Sequence, residues 1–110
     1  MKFELRTYVA AEGKMAALQQ RFIDHTIHIF PRHGMHSVGY WVREDDPSVL
    51  VYLIWHEGDP KANWNSFKDD PEWTSARAAS EVDGSLTASL ESVYLDPVEA
   101  LAIGDLPPKA

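Results

Sequence analysis

The chain has 110 residues, 45% of them apolar, with no cysteine and a formal net charge of -7 at pH 7. That length and apolar share suit one domain around a single core. The missing cysteine excludes a disulfide framework, a thiolate metal site and a cysteine nucleophile, and the acidic balance, with ten scattered Lys and Arg, argues against a nucleic-acid partner.

In chain order, Phe3 to Val9 alternates Phe3, Leu5, Thr7 and Val9 with Glu4, Arg6 and Tyr8, the periodicity of a strand. After "AAEG", the residues Met15, Leu18, Phe22, Thr26 and Ile29 recur at three- and four-residue steps, which predicts a long helix with one apolar stripe. Pro31 lacks an amide hydrogen and crowds the carbonyl four residues back, so the helix should kink or end there, with Gly34 as its left-handed terminator. Val38 to Arg43 and Val49 to His56 read as two strands of an antiparallel hairpin around the turn "EDDPS". Asp59-Pro60 and Asp70-Pro71 each place a side-chain cap before a proline at the first helical position, predicting two short helices over 60–69 and 71–82. Leu86 to Leu95 alternates again and predicts the last strand. The tail 96–110, with three prolines, should run extended beyond a domain at 1–95.

No segment approaches the roughly 18 continuous apolar residues of a membrane span, and the first ten residues alternate charged and apolar side chains, unlike a secretory leader. A cytoplasmic location without membrane contact is expected. The element order is strand, helix, strand, strand, helices, strand, which predicts an α+β fold of the ferredoxin-like, split βαβ type with a four-stranded antiparallel sheet. Helices would cover one sheet face only. Yet the third strand carries Val49, Val51, Leu53 and Trp55 on one side and Leu50, Tyr52 and Ile54 on the other. Both sides call for burial, so two sheets are expected to meet in a homodimer.

The words "ELRTY" at Glu4 to Tyr8, "FIDH" at Phe22 to His25, "HG" at His33 and Gly34, "VGYW" at Val38 to Trp41 and "DPEW" at Asp70 to Trp73 resemble the NIPSNAP family. The resemblance implies a dimeric α+β barrel. That superfamily includes cofactor-free monooxygenases, haem-degrading enzymes and isomerases, with pockets between the sheet and its helices. Relatives often place a proline shortly after the motif histidine, where this chain has His28, its proline following at Pro31. The interaction role of some eukaryotic relatives is not carried over, because the chain shows no Arg-rich, acid-poor transit segment.

Four of the five histidines lie between His25 and His36. On a helical wheel His25 falls at the edge of the stripe of Leu18, Phe22 and Ile29, so its imidazole is the candidate base for a bound phenol or enol. The bland alternative is a half-buried histidine bonded to a backbone carbonyl. His25 and His28, with Asp24, His33 or His36, lack firm metal-site spacing, and no metal site is assigned. A haem axial role for His25 or His56 is weaker still, so no cofactor is assigned. Glu4, Arg6 and Tyr8 would form the polar face of a central strand. They either pair, with Glu91 as a partner for Arg6 across a dimer, or Arg6 and Tyr8 hold a carboxylate or carbonyl of a ligand. Tyr40, Trp55 and Trp73 are the candidate walls of a pocket for a small apolar or aromatic ligand, while Trp64, between two asparagines, reads as exposed. Serine-triad motifs, phosphate loops and dinucleotide fingerprints are absent. The leading expectation is therefore a small-molecule-binding dimeric barrel with proton-transfer or cofactor-free oxygenase chemistry. The competing one is a non-enzymatic interaction protein with a fully packed interior.

Overall fold

The computed structural model describes residues 1–101, so the part of the expected tail at 102–110 lies outside the described residues. Four strands, β1 (Lys2–Ala10), β2 (Met35–Val42), β3 (Val49–His56) and β4 (Thr87–Leu95), form one antiparallel sheet in the order β2-β3-β1-β4. The helices follow in chain order: α1 (Met15–Arg21), a π-helical turn (Phe22–Thr26), α2 (Ile27–Ile29), a 3-10 turn (Phe30–His33), α3 (Pro60–Lys68), α4 (Pro71–Ser80) and, within the tail expected to be extended, a 3-10 turn (Glu99–Leu101). This is the ferredoxin-like α+β arrangement the element order predicts.

The strand β3 spans the predicted residues, whereas β2 begins three residues before its predicted start. Met35 and His36 already pair with His56 and Trp55, and the register then shifts between Ser37 and Gly39. That bulge breaks the alternation by which a strand is recognised in sequence. Gly34 ends the helical segment as expected, at φ 74°. A Cβ there would also come within 3.2 Å of the Asn63 side chain and of the Glu57 carbonyl, so glycine is required on two counts. Asp59 and Asp70 cap α3 and α4, accepting from the backbone N–H of Ala62 (3.1 Å) and Glu72 (2.9 Å).

The pairing decides which sheet face meets the helices. Glu4, Arg6 and Tyr8 lie opposite Ile54, Tyr52 and Leu50 of β3 and Tyr94, Ser92 and Leu90 of β4. This face packs against Leu18, Phe22, Ile29 and Phe30 of the first helical segment and Phe67 of α3, all buried. Each such side chain contributes about 1.5–3 kcal/mol of burial. Phe3, Leu5, Val51, Leu53, Val93 and Leu95 share the other face with Trp55 and Trp41. Trp41, Val93 and Leu95 are exposed there.

Candidate functional site

The polar half of β1 is threaded into the space under α3 and α4. Glu4 is completely buried, and its carboxylate accepts four hydrogen bonds. His56 Nε2 (2.7 Å) and Trp64 Nε1 (2.8 Å) donate to Oε1, and Arg6 Nη1 (2.7 Å) and Ser92 Oγ donate to Oε2. Burial by itself would raise this carboxyl, but the donors His56, Ser92, Trp64 and Arg6 outweigh it and hold it at about 2. His56 is likewise fully buried. Its Nδ1 accepts from Asn63 Nδ2 at 3.1 Å, which leaves the proton on Nε2 for Glu4. Glu4 is thus an anchor: a carboxylate saturated with donors and held that low is a poor base.

Arg6 lies between this anchor and the next pair of side chains. Its guanidinium is 4.1 Å from the centre of the Trp64 ring, and Nε and Nη2 donate to the Tyr8 hydroxyl at 3.3 and 3.2 Å. Although burial alone would lower it, the neighbouring Tyr52 and Tyr8 and the bond to Glu4 raise the guanidinium further above its ordinary range. The Tyr8 hydroxyl also meets that of Tyr52 at 2.9 Å. Tyr52 is fully buried, burial pushes its phenol well above its usual value, and its hydroxyl meets no acceptor but Tyr8 among the described residues, so its proton is directed to Tyr8. With Arg6 and Tyr52 both donating to its oxygen, Tyr8 has its own proton left for a third group.

That third group would lie in a cavity of about 750 Å³ which Glu4, Arg6 and Tyr8 line from the sheet side. Lys61, Trp64 and Lys68 present one face of α3 to it, and Trp73 and Arg77 one face of α4, in each case at three- or four-residue spacing. Arg21 reaches the same cavity from α1. It is 92% buried by its 8% exposure, donates through Nη1 to Glu81 (3.0 Å) and Ser80 (3.1 Å), and lies 5.0 Å from the centre of the Trp73 ring. Its Nε has no hydrogen-bond partner among the described residues.

Of the residues singled out from sequence, Arg6, Tyr8 and Trp73 are brought together around this cavity. Tyr40 lines a separate apolar cavity of about 260 Å³ with Phe22, Ile27 and Trp41, its phenol pushed up to about 12 by burial. Trp55 lies on the opposite sheet face, stacked 4.2 Å from His36, and lines neither cavity. His25 also lines neither, and its ring makes no hydrogen bond among the described residues. The wheel that placed it assumed α-helical rotation. The π-helical turn at Phe22–Thr26 is wider and rotates less per residue, which keeps Thr26, 3% exposed, on the stripe beneath Phe22 and carries His25 further round the helix, away from it. Trp64 is partly buried and not exposed, because its indole N–H is drawn to Glu4. Arg6 pairs within the chain with Glu4, and Glu91, its expected partner across a dimer, lies opposite Thr7 on the other face of the sheet.

Sequence reasoning missed the cations of α3 and α4. The signal was present in Lys61, Trp64 and Lys68, and in Trp73 and Arg77, each set spaced to share a helix face. It also missed a contact chain in which Ser66 Oγ meets His33 Nδ1 at 2.5 Å and His33 Nε2 meets Asp70 at 2.7 Å. Despite its resemblance to a serine-hydrolase relay, Ser66 lies outside both cavities, in the last turn of α3, where the helix dipole opposes a developing oxyanion. Asp70 is held by Arg32 as well, and it caps α4. The chain is a brace between the 3-10 turn and both helices.

Comparisons place this geometry among known folds. A protein of unknown function from Agrobacterium tumefaciens, of the NIPSNAP family, is 26% identical, with a TM-score of 0.71 over 88% of this chain and 87% of its own. An uncharacterized NIPSNAP domain protein from Burkholderia xenovorans is 21% identical, with a TM-score of 0.74 over 94% of this chain and all (100%) of its own. A Nitrosomonas europaea protein, a candidate antibiotic biosynthesis monooxygenase by name, shares the fold at 14% identity, with a TM-score of 0.64 over 89% and 99% of the two chains. No curated protein matches. The NIPSNAP family model matches residues 3–101, nearly the whole domain around the Glu4–Arg6–Tyr8 strand, and the chain belongs to that family.

Proposed function

We propose that the protein binds a small, flat, oxygen-bearing molecule in the cavity between the sheet and α3–α4, with Tyr8 and Arg6 holding that oxygen. One observation carries the reading: the Tyr8 hydroxyl accepts from Arg6, meets a buried Tyr52 hydroxyl that has no other acceptor among the described residues, and borders a cavity large enough for a small ligand, which leaves its own proton for a group there. A carbonyl or phenolic oxygen accepting from Tyr8 beside the Arg6 guanidinium is favoured most when it carries negative charge, so the pair suits an enolate or phenolate. That is the species through which proton transfer and cofactor-free oxygenation run, and the Nitrosomonas neighbour is by name a candidate monooxygenase of antibiotic biosynthesis. His25 does not serve as the base in this reading, since it stands outside the cavity. A fully packed interior is the competing reading, and a cavity lined by unspent donors weighs against it.

The test is binding of a naphthol panel by calorimetry, comparing wild type with the double variant Tyr8→Phe/Tyr52→Phe. Removing both hydroxyls leaves no buried phenol without an acceptor, Arg6 keeps its pair with Glu4 when it loses Tyr8, and an unchanged thermal midpoint checks that the fold is retained while the donor is lost. Affinity should fall up to about tenfold, the value of one hydrogen bond of about 1.4 kcal/mol. Equal affinity in the two proteins would overturn the assignment.

The open sheet face completes the proposal. Phe3, Leu5, Val51, Leu53, Val93 and Leu95 form an apolar surface on the side away from the helices, and a second copy of the chain meeting it face to face would bury both.

A further inference from the structure

We infer that the ligand is an organic acid, an aromatic or conjugated carboxylate that lies against Trp64 and Trp73 with its carboxylate at the cations of α3 and α4. The inference rests on the cavity reading above and adds the charge of what enters.

The protein is acidic, with seventeen Asp and Glu against ten Lys and Arg. The cavity inverts this balance. Arg6, Arg21, Lys61, Lys68 and Arg77 line it, half of all the chain's cations, against two carboxylates, Glu4 and Glu81. Both carboxylates are already taken. Glu4 is spent on Arg6 at 2.7 Å and on three further donors, and Glu81 accepts from Arg21 at 3.0 Å and Arg77 at 3.4 Å. Lys61 and Lys68 form no ion pair among the described residues, and they stand one on each side of Trp64 on the same helix face. Buried at the α4 end, Arg21 carries a second, independent sign: its Nε is a donor without an acceptor among the described residues. A concave, aromatic-walled site with a local excess of positive charge in an otherwise negative molecule focuses the field on an anion. A neutral ligand of the same shape gains nothing from it. The aromatic rings favour a flat partner, and the planar guanidinium and the lysines favour a carboxylate.

The division of labour within the site follows from position. The sheet end, Arg6 and Tyr8, holds the oxygen at which charge develops. The helix end, Lys61, Lys68 and Arg77, holds a charge that is permanent.

The experiment compares 2-naphthoate with its neutral isostere 2-naphthamide by calorimetry on the full chain, in wild type and in Lys61→Glu/Lys68→Glu. Both lysines are exposed, and an unchanged thermal midpoint checks that the variant folds. Wild type should bind the acid about tenfold more tightly than the amide at low salt. The advantage should shrink as the Debye length falls from about 30 Å at 0.01 M salt to about 3 Å at 1 M. The variant should lose most of the acid's advantage and bind the amide as before. Equal binding of acid and amide by wild type would overturn the organic-acid class and leave the cavity reading standing. Binding of neither would overturn both. An acid preference that survives the double charge reversal would overturn the placement of the carboxylate on α3.

Discussion

Glu4 is the residue on which the site's geometry depends, and its state can be followed by pH. Its carboxyl is held at about 2 in the folded protein against an ordinary 4.5. A carboxyl depressed on folding stabilises the native state fully above the unfolded value and loses that contribution as pH falls through the folded one. The difference corresponds to on the order of 3 kcal/mol. Urea-unfolding free energies should therefore decline for wild type between about pH 5 and pH 2, while Glu4→Gln starts lower by about 3 kcal/mol and shows a shallower decline. Parallel pH profiles for the two would sink this account. The same arithmetic shows why Glu4, Arg6 and Tyr8 could be recognised as important from sequence without a role being assigned. Alternation put them on one face of a strand, but their partners His56, Trp64 and Ser92 are 52, 60 and 88 residues away in the chain.

Among the elements, the long first helical segment was legible in outline and misleading in detail. Its apolar stripe, its end near Pro31 and its termination at Gly34 all follow from local rules, and all appear in the fold. The π-helical turn inside it does not follow from any residue of the segment, and that single widened turn removed His25 from the site. Gly34 offers the sharper test at this scale. Gly34→Ala must place a Cβ at φ 74°, pressed against Asn63 and the Glu57 carbonyl, so it should cost about 1–2 kcal/mol in denaturant unfolding. Asn63 also hydrogen-bonds His56, so the substitution should disturb the Glu4 network as well, visible as a loss of naphthoate affinity. A variant as stable as wild type would show that neither the backbone conformation nor the contact constrains this position. The bulge after Ser37 is the strand counterpart of the π-helical turn: one irregular residue that shifts every later side chain by one face.

For the molecule as a whole, the apolar open face of the sheet is the feature that a single chain leaves unused, and the proposed dimer accounts for it. Leu53 lies near its centre, opposite Leu5 of β1 and Gly39 of β2. Light scattering should give twice the chain mass for wild type and the chain mass for Leu53→Asp, whose buried carboxylate would have no partner at such an interface. A wild-type monomer at micromolar concentration would remove the dimer and leave the cavity unaffected, since the cavity opens on the other side of the sheet. No helix among the described residues is long and apolar enough to cross a membrane. The order of elements, their caps and terminators, and the alternation that makes one face of β1 polar and the other apolar were all legible along the chain, because each rests on residues within a turn or two of one another. Folding in three dimensions set the polar face inward, closed Trp64 and His56 on Glu4, and brought the cations of α1, α3 and α4 to one cavity. Those outcomes depend on strand register and helix rotation, and both are settled by packing between segments far apart in the chain.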